Sequence, residues 1–184
     1  MWFKSYLLSC MLPALMLLAG CSGDGDNGPL GTKWDRDSCE RCRMVLSDRY
    51  HGAQVRYFPP DKKRSVVAQF DDIGCAVLWL SGTPWEQDPR TRIWVTDRNT
   101  GAWIDAVRAT YIAGDHTPME YGLGAQEEPS PDGLDFTEAK RHIQAAEQRH
   151  RHHTAHLLQR FREQAAVREG MKTERNQPGE GSER

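Results

Sequence analysis

Residues 71–82, DDIGCAVLWLSG, constrain the fold of this chain more than any other stretch. Asp71 or Asp72 can cap a helix there, and Gly82 and Pro84 end it. Ile73, Ala76, Val77 and Leu80 make one face, while Cys75, Leu78 and Trp79 leave most of the remaining surface apolar too. A short helix that is apolar nearly all round has to be buried. The neighbouring sequence supplies the cover. HGAQVRYF (51–58) stops at Pro59-Pro60, and SVVAQF (65–70) follows a PPDKKR turn, so the two read as a hairpin leading into the helix. TRIWVTD (91–97) and AWIDAVRATYI (102–112) flank a turn at RNTG, where Gly101 can take the left-handed conformation. GDHTPMEYGLGAQEEPSPDG (114–133) reads as a Gly/Pro-rich loop. The order of these pieces predicts an α+β fold of small antiparallel sheet units with packed helices, with a strand–strand–helix unit used twice.

The two ends differ in kind from the middle. From about Glu138 the chain is rich in Ala, Gln, Glu, Arg and Leu, without proline, to Gly170, a plausible stop. Phe136, Ala139, Ile143, Ala146, His150, His153 and Leu157 recur at spacings of three and four, the seam of one charged helix. The last residues, MKTERNQPGEGSER, have the composition of a disordered tail. At the start, Lys4 precedes an apolar run to about Leu18 that is short for a membrane span and reads as a secretory signal. It ends in Leu18-Ala19-Gly20-Cys21, the lipobox of a bacterial lipoprotein, with Cys21 as the acylated residue. Ser22 after it favours the outer membrane, and the Gly/Asp/Asn run to residue 32 is a flexible tether. The reading places the protein on the periplasmic face of the envelope. Formal charge is only −2, which implies no nucleic-acid or membrane-surface field.

Of five cysteines, Cys10 leaves with the signal and Cys21 is acylated, so Cys39, Cys42 and Cys75 remain. An odd number fits poorly with a purely structural disulfide scheme in an oxidising compartment. The pair in DSCERCRMVLSD (37–48) admits four readings. A thiol–disulfide couple would open a helix in a βαβ setting. A zinc site needs two further ligands, for which Cys75, His51 and His116 are on offer. A Cys39–Cys42 disulfide closes a tight, strained loop. The fourth reading uses Met44: on an extended strand Cys42 and Met44 point the same way, and thiolate with thioether selects Cu(I). Cys75, among Ile73, Ala76 and Val77, reads as a packed core thiol, and Asp71 and Asp72 read as helix caps. His152 and His156, at i and i+4, could share a Cu(II) or zinc ion as an auxiliary site. No residue set offers a nucleophile with its base, and no phosphate loop is present, so a non-enzymatic role is expected.

Taken in order, the lipobox, CERCRM, FDDIGCAVLWL (70–80), WVTD…TGAWIDA (94–106) and TPMEYGLGA (117–125) resemble the NosL family, copper lipoproteins accessory to nitrous oxide reductase. The resemblance covers about residues 35–125. It implies tandem ββα units, Cu(I) as the bound metal, and Cys42, Met44 and Met119 as ligands with Cys39 as a fourth donor. It also implies delivery to the membrane-associated machinery that assembles the enzyme's copper centres. Where the family has glycine between cysteine and methionine, this chain has Arg43. The resulting division is a signal at 1–20, a lipidated linker at 21–32, a NosL-like copper-binding domain at 33–134, a charged His-rich helix at 135–170 and a tail at 171–184. The competing function is an envelope thiol–disulfide oxidoreductase acting through Cys39 and Cys42.

Overall fold

A computed structural model of the chain describes residues 28–175, with side chains described to residue 169. The signal, the lipobox with Cys21 and most of the tether lie outside the described residues, as does the tail beyond residue 175. The compact unit begins at Gly31.

The fold is α+β. Strands β1 (Ala53–Tyr57) and β2 (Val66–Phe70) form the expected antiparallel hairpin, with Val55 opposite Ala68 and Ala53 opposite Phe70. Helix α1 (Ile73–Leu80) follows at once. Strands β3 (Arg92–Thr96) and β4 (Trp103–Asp105) then extend the same sheet to the order β2-β1-β3-β4. Strands β5 (Thr110–Ala113) and β6 (Leu123–Gln126) make a second, two-stranded sheet, and helix α2 (Phe136–Arg175) packs on it. A strand–strand–helix unit thus occurs twice, with β3 and β4 joined to the first.

Alternation along the strands places Ala53, Val55, Ala68, Phe70, Ile93 and Val95 on the buried side, where Ile73, Ala76, Val77 and Leu80 of α1 join the same core. Asp72, in extended conformation, caps α1 by accepting the Gly74 amide at 2.6 Å. Gly74 is required by a close approach: a Cβ there would fall 2.1 Å from Cδ2 of Tyr121. The two sheets are stitched where the Arg98 amide donates to the Ala125 carbonyl and the Asp97 carboxylate accepts from the Glu127 amide.

Three local expectations change. Residues 102–112 are two strands in different sheets, because the chain turns at 106–109 with Tyr111 Oη donating to the Ala106 carbonyl at 2.7 Å. The supposed loop 114–133 contains β6, whose Leu123 and Ala125 are buried. Helix α2 runs through Gly170 to Arg175; one glycine inside a helix costs about 1 kcal/mol, too little to stop one of this length. Only the first turns of α2 are docked, through Ala139, Ile143 and Ala146. From Gln148 to Glu169 every side chain but the half-buried Leu157 is exposed. Among the described residues, no helix is long and apolar enough to cross a membrane.

Candidate metal centre

The segment that carries Cys39 and Cys42 is a narrow hairpin, not a strand. Ser38 bridges Val45, the Cys39 amide donates to the Met44 carbonyl at 2.8 Å, and the Arg43 amide donates to the Cys39 carbonyl at 3.0 Å. Closing the tip forces Arg43 to φ +66°, left-handed backbone that suits glycine. The hairpin is fastened to β2, since the Glu40 amide donates to the Gln69 carbonyl and Gln69 donates to Asp37. That attachment lays the tip over the end of β2 and the first turn of α1.

Four ligand atoms converge there. The sulfurs of Cys39, Cys42 and Cys75 and a carboxylate oxygen of Asp71 all lie within 4.8 Å of one another. Cys39, Asp71 and Cys75 are buried, while Cys42 is half-buried and opens the site to solvent. All three cysteines are free thiols. The Cys42 thiol donates to Asp71 Oδ2 at 3.0 Å, and Asp71 Oδ1 is buried without a hydrogen-bond partner. Cys39 Sγ sits at the focus of donors, chiefly the Cys75 thiol and then the Cys42 amide, which draw its pKa down to about 6. Cys42 moves the other way, pushed up to about 12 by burial and by its bond to the Asp71 carboxylate. Cys75 is raised because its proton is held by Cys39. The cluster is therefore one thiolate and two thiols, and a metal ion would replace the two thiol protons.

Sequence patterning found Cys39 and Cys42 but set Cys75 aside as a core thiol and Asp71 as a cap. Cys75 is indeed fully buried, yet its sulfur belongs to the cluster. Only Asp72 caps the helix, and Asp71 is left free to face the thiols. Adjacent Asp-Asp before a helix, with a cysteine on its first turn, was the available signal. Met44 does not alternate with Cys42 on a strand; it stands beyond the Arg43 turn, about half exposed. Met119 is half-buried against the core and lines a groove with Arg41, Tyr121, Glu147 and His150. His152 and His156 are exposed on the undocked part of α2, outside the four-residue cluster.

No family model and no curated protein matches the chain. Among solved structures it is similar to the copper chaperone NosL from Shewanella denitrificans, at 14% identity and a TM-score of 0.43, over 64% of this chain and 87% of that one.

Proposed function

We propose that this chain is a carrier of Cu(I) rather than a catalyst. The ion is held by the thiolates of Cys39, Cys42 and Cys75 and handed on from the Cys42 side. The supporting observation is the convergence of three thiols on one point, two of them buried and one open. Soft sulfur donors select Cu(I), and burial of two of them protects the reduced ion from water. The arrangement also favours release. Cys42 is the accessible ligand, and its high proton affinity beside Asp71 lets it regain a proton as a partner's donor takes its place. Met44, exposed on the same hairpin, offers a proton-free thioether at the point of exchange. By the sequence resemblance, the receiver is the membrane-associated machinery for the copper centres of nitrous oxide reductase. The carrier is lipid-anchored at Cys21 on the periplasmic face, in the outer membrane if Ser22 sets the sorting. His152 and His156 would serve as a separate capture site for an oxidised or divalent ion.

The thiol couple fits less well. A disulfide oxidoreductase needs an exposed, acidic attacking thiol. Here the acidic one, Cys39, is fully buried, and the half-buried one, Cys42, is the weak acid. Zinc is the second reading, favoured by Asp71, whose unpartnered oxygen would complete a tetrahedral site. The deciding experiment titrates the reduced, anaerobic protein with Cu(I) against a chromophoric chelator, and with Zn(II) in parallel. One tight Cu(I) equivalent, lost in Cys75→Ser and kept in Asp71→Asn, is the expected result. Tighter Zn(II), lost in Asp71→Asn, would replace copper with zinc.

A further inference from the structure

Between Cys39 and Cys42 at the hairpin tip stands Arg41, whose side chain reaches across to both helices. Nη1 approaches Cys75 Sγ at 3.9 Å and donates to Tyr121 Oη at 3.0 Å, while Nη2 donates to Glu147 Oε1 at 3.1 Å. Tyr121 Oη donates in turn to the other Glu147 oxygen at 2.8 Å. The guanidinium is therefore aimed, and its side chain is only 28% exposed. Arg43, the other arginine of the tip, is 71% exposed and turns to Glu40 instead. A permanently charged, planar fork held in this way is a fixed cation beside the fully buried Cys75.

A fixed charge matters because the metals that thiolates bind differ in charge. Three thiolates holding Cu(I) keep two net negative charges, and the same three holding Zn(II) keep one. That difference holds whatever protons the free thiols carry. Cys39, Asp71 and Cys75 are buried, so the extra negative charge is poorly solvated unless a cation compensates it. A positive charge close by stabilises the Cu(I) complex more than the Zn(II) complex. Arg41 places one against a cluster sulfur, and Glu147 tempers it, because the carboxylate that positions the guanidinium also opposes its charge.

We infer that Arg41 is a specificity-determining residue of the thiol cluster: its guanidinium, held against Cys75 by Tyr121 and Glu147, biases the three sulfurs towards Cu(I) over Zn(II). The inference rests on the carrier reading for its cargo and adds the residue that selects it. It also gives the docked half of α2 a part in the site through Glu147, although none of the four clustered ligand atoms comes from that helix.

The test titrates the reduced, anaerobic full-length protein with Cu(I) and with Zn(II), each against a chromophoric chelator, and compares the ratio of the two affinities among variants. In Arg41→Gln the ratio is expected to fall at least about tenfold, the lower end of the effect of removing a partner of a metal's ligands. Glu147→Gln removes the opposing charge and keeps an oxygen that can accept from Arg41, so there the ratio is expected to rise above native. A merely structural role would weaken both metals together in both variants and leave the ratio where it was, and that result overturns the inference. A change of the ratio in the same direction in the two variants also overturns it. Should Arg41→Gln fail to fold, as judged by its melting curve, the rise in Glu147→Gln decides alone. A native chain without tight Cu(I) binding removes the carrier reading and this inference with it. Tight Cu(I) binding with an unchanged ratio in Arg41→Gln overturns the inference and leaves the carrier reading standing.

Discussion

Each proton in the thiol cluster stands where a metal bond would form, and the protons set how binding depends on pH. Cys39, at about 6, is a thiolate at neutral pH, whereas Cys42, at about 12, and the raised Cys75 are thiols. Cu(I) on all three sulfurs therefore displaces two protons above pH 6 and three below it. Acid competes with the metal, so affinity rises with pH: about 100-fold per unit between pH 7 and 9, and more steeply below 6. A chelator competition repeated across that range checks the slope, and a slope of one proton would mean that only two sulfurs bind. Arg43 makes a second residue-scale case. Its φ of +66° costs a side-chain-bearing residue about 1–2 kcal/mol relative to glycine, while its exposed pairing with Glu40 at 3.4 Å returns little. Arg43→Gly is expected to stabilise the protein by about 1 kcal/mol in denaturant unfolding. A loss of stability in the variant would show that the hairpin tip is not strained.

At the scale of elements, the cluster is a meeting of the hairpin tip, the end of β2 and the first turn of α1. What fixes that turn is the closeness of Tyr121 to Gly74. A methyl group at Gly74 would drive the buried ring away, and with it the hydroxyl that Arg41 and Glu147 share. Gly74→Ala is expected to cost about 1–3 kcal/mol by overpacking, seen as a lowered melting temperature. The elements themselves were legible in the sequence wherever a local pattern decides: the β1–β2 hairpin between turn residues, the all-apolar helix, the seam of α2 through Ala146. Patterning failed where a distant group decides. Residues 102–112 look continuous, and only the pairing of β4 with β3 and of β5 with β6 divides them. β6 hides in a glycine-rich stretch because Gly124 leaves space for Asp115 and Arg98, a packing need invisible from the local pattern. The site divides the same way. Cys39 and Cys42 announce themselves by spacing, but Cys75 joins them only because the hairpin is hydrogen-bonded along β2, and burial alone reads as core.

At the scale of the whole molecule, the metal would act as a clasp among segments that are otherwise joined by hydrogen bonds and packing. An ion that binds only the folded state adds RT ln(1 + [L]/Kd), about 4 kcal/mol at a thousandfold excess over Kd. For a chain of this length that is roughly 8–16 °C in melting temperature. The same reasoning separates the two halves of α2. The half to Glu147 covers the second sheet with Ala139, Ile143 and Ala146 and holds Arg41 beside Cys75. The half beyond Ala155 exposes Leu158, Phe161 and Val167 and contributes little to the core. A chain ending at Ala155 should keep its melting temperature to within about 2 °C, because exposed helix makes only a small net contribution to stability. It should also retain the full rise on adding Cu(I), since Cys39, Cys42, Cys75 and the Arg41–Glu147 pair are intact. A chain ending at Asp135 loses Ile143 outright and is expected to lose several kcal/mol, more than a marginal domain of this size can give up. If the first truncation instead abolishes the Cu(I)-dependent rise, the metal is held by His156 or by residues beyond it, and the thiol cluster is not the site of binding.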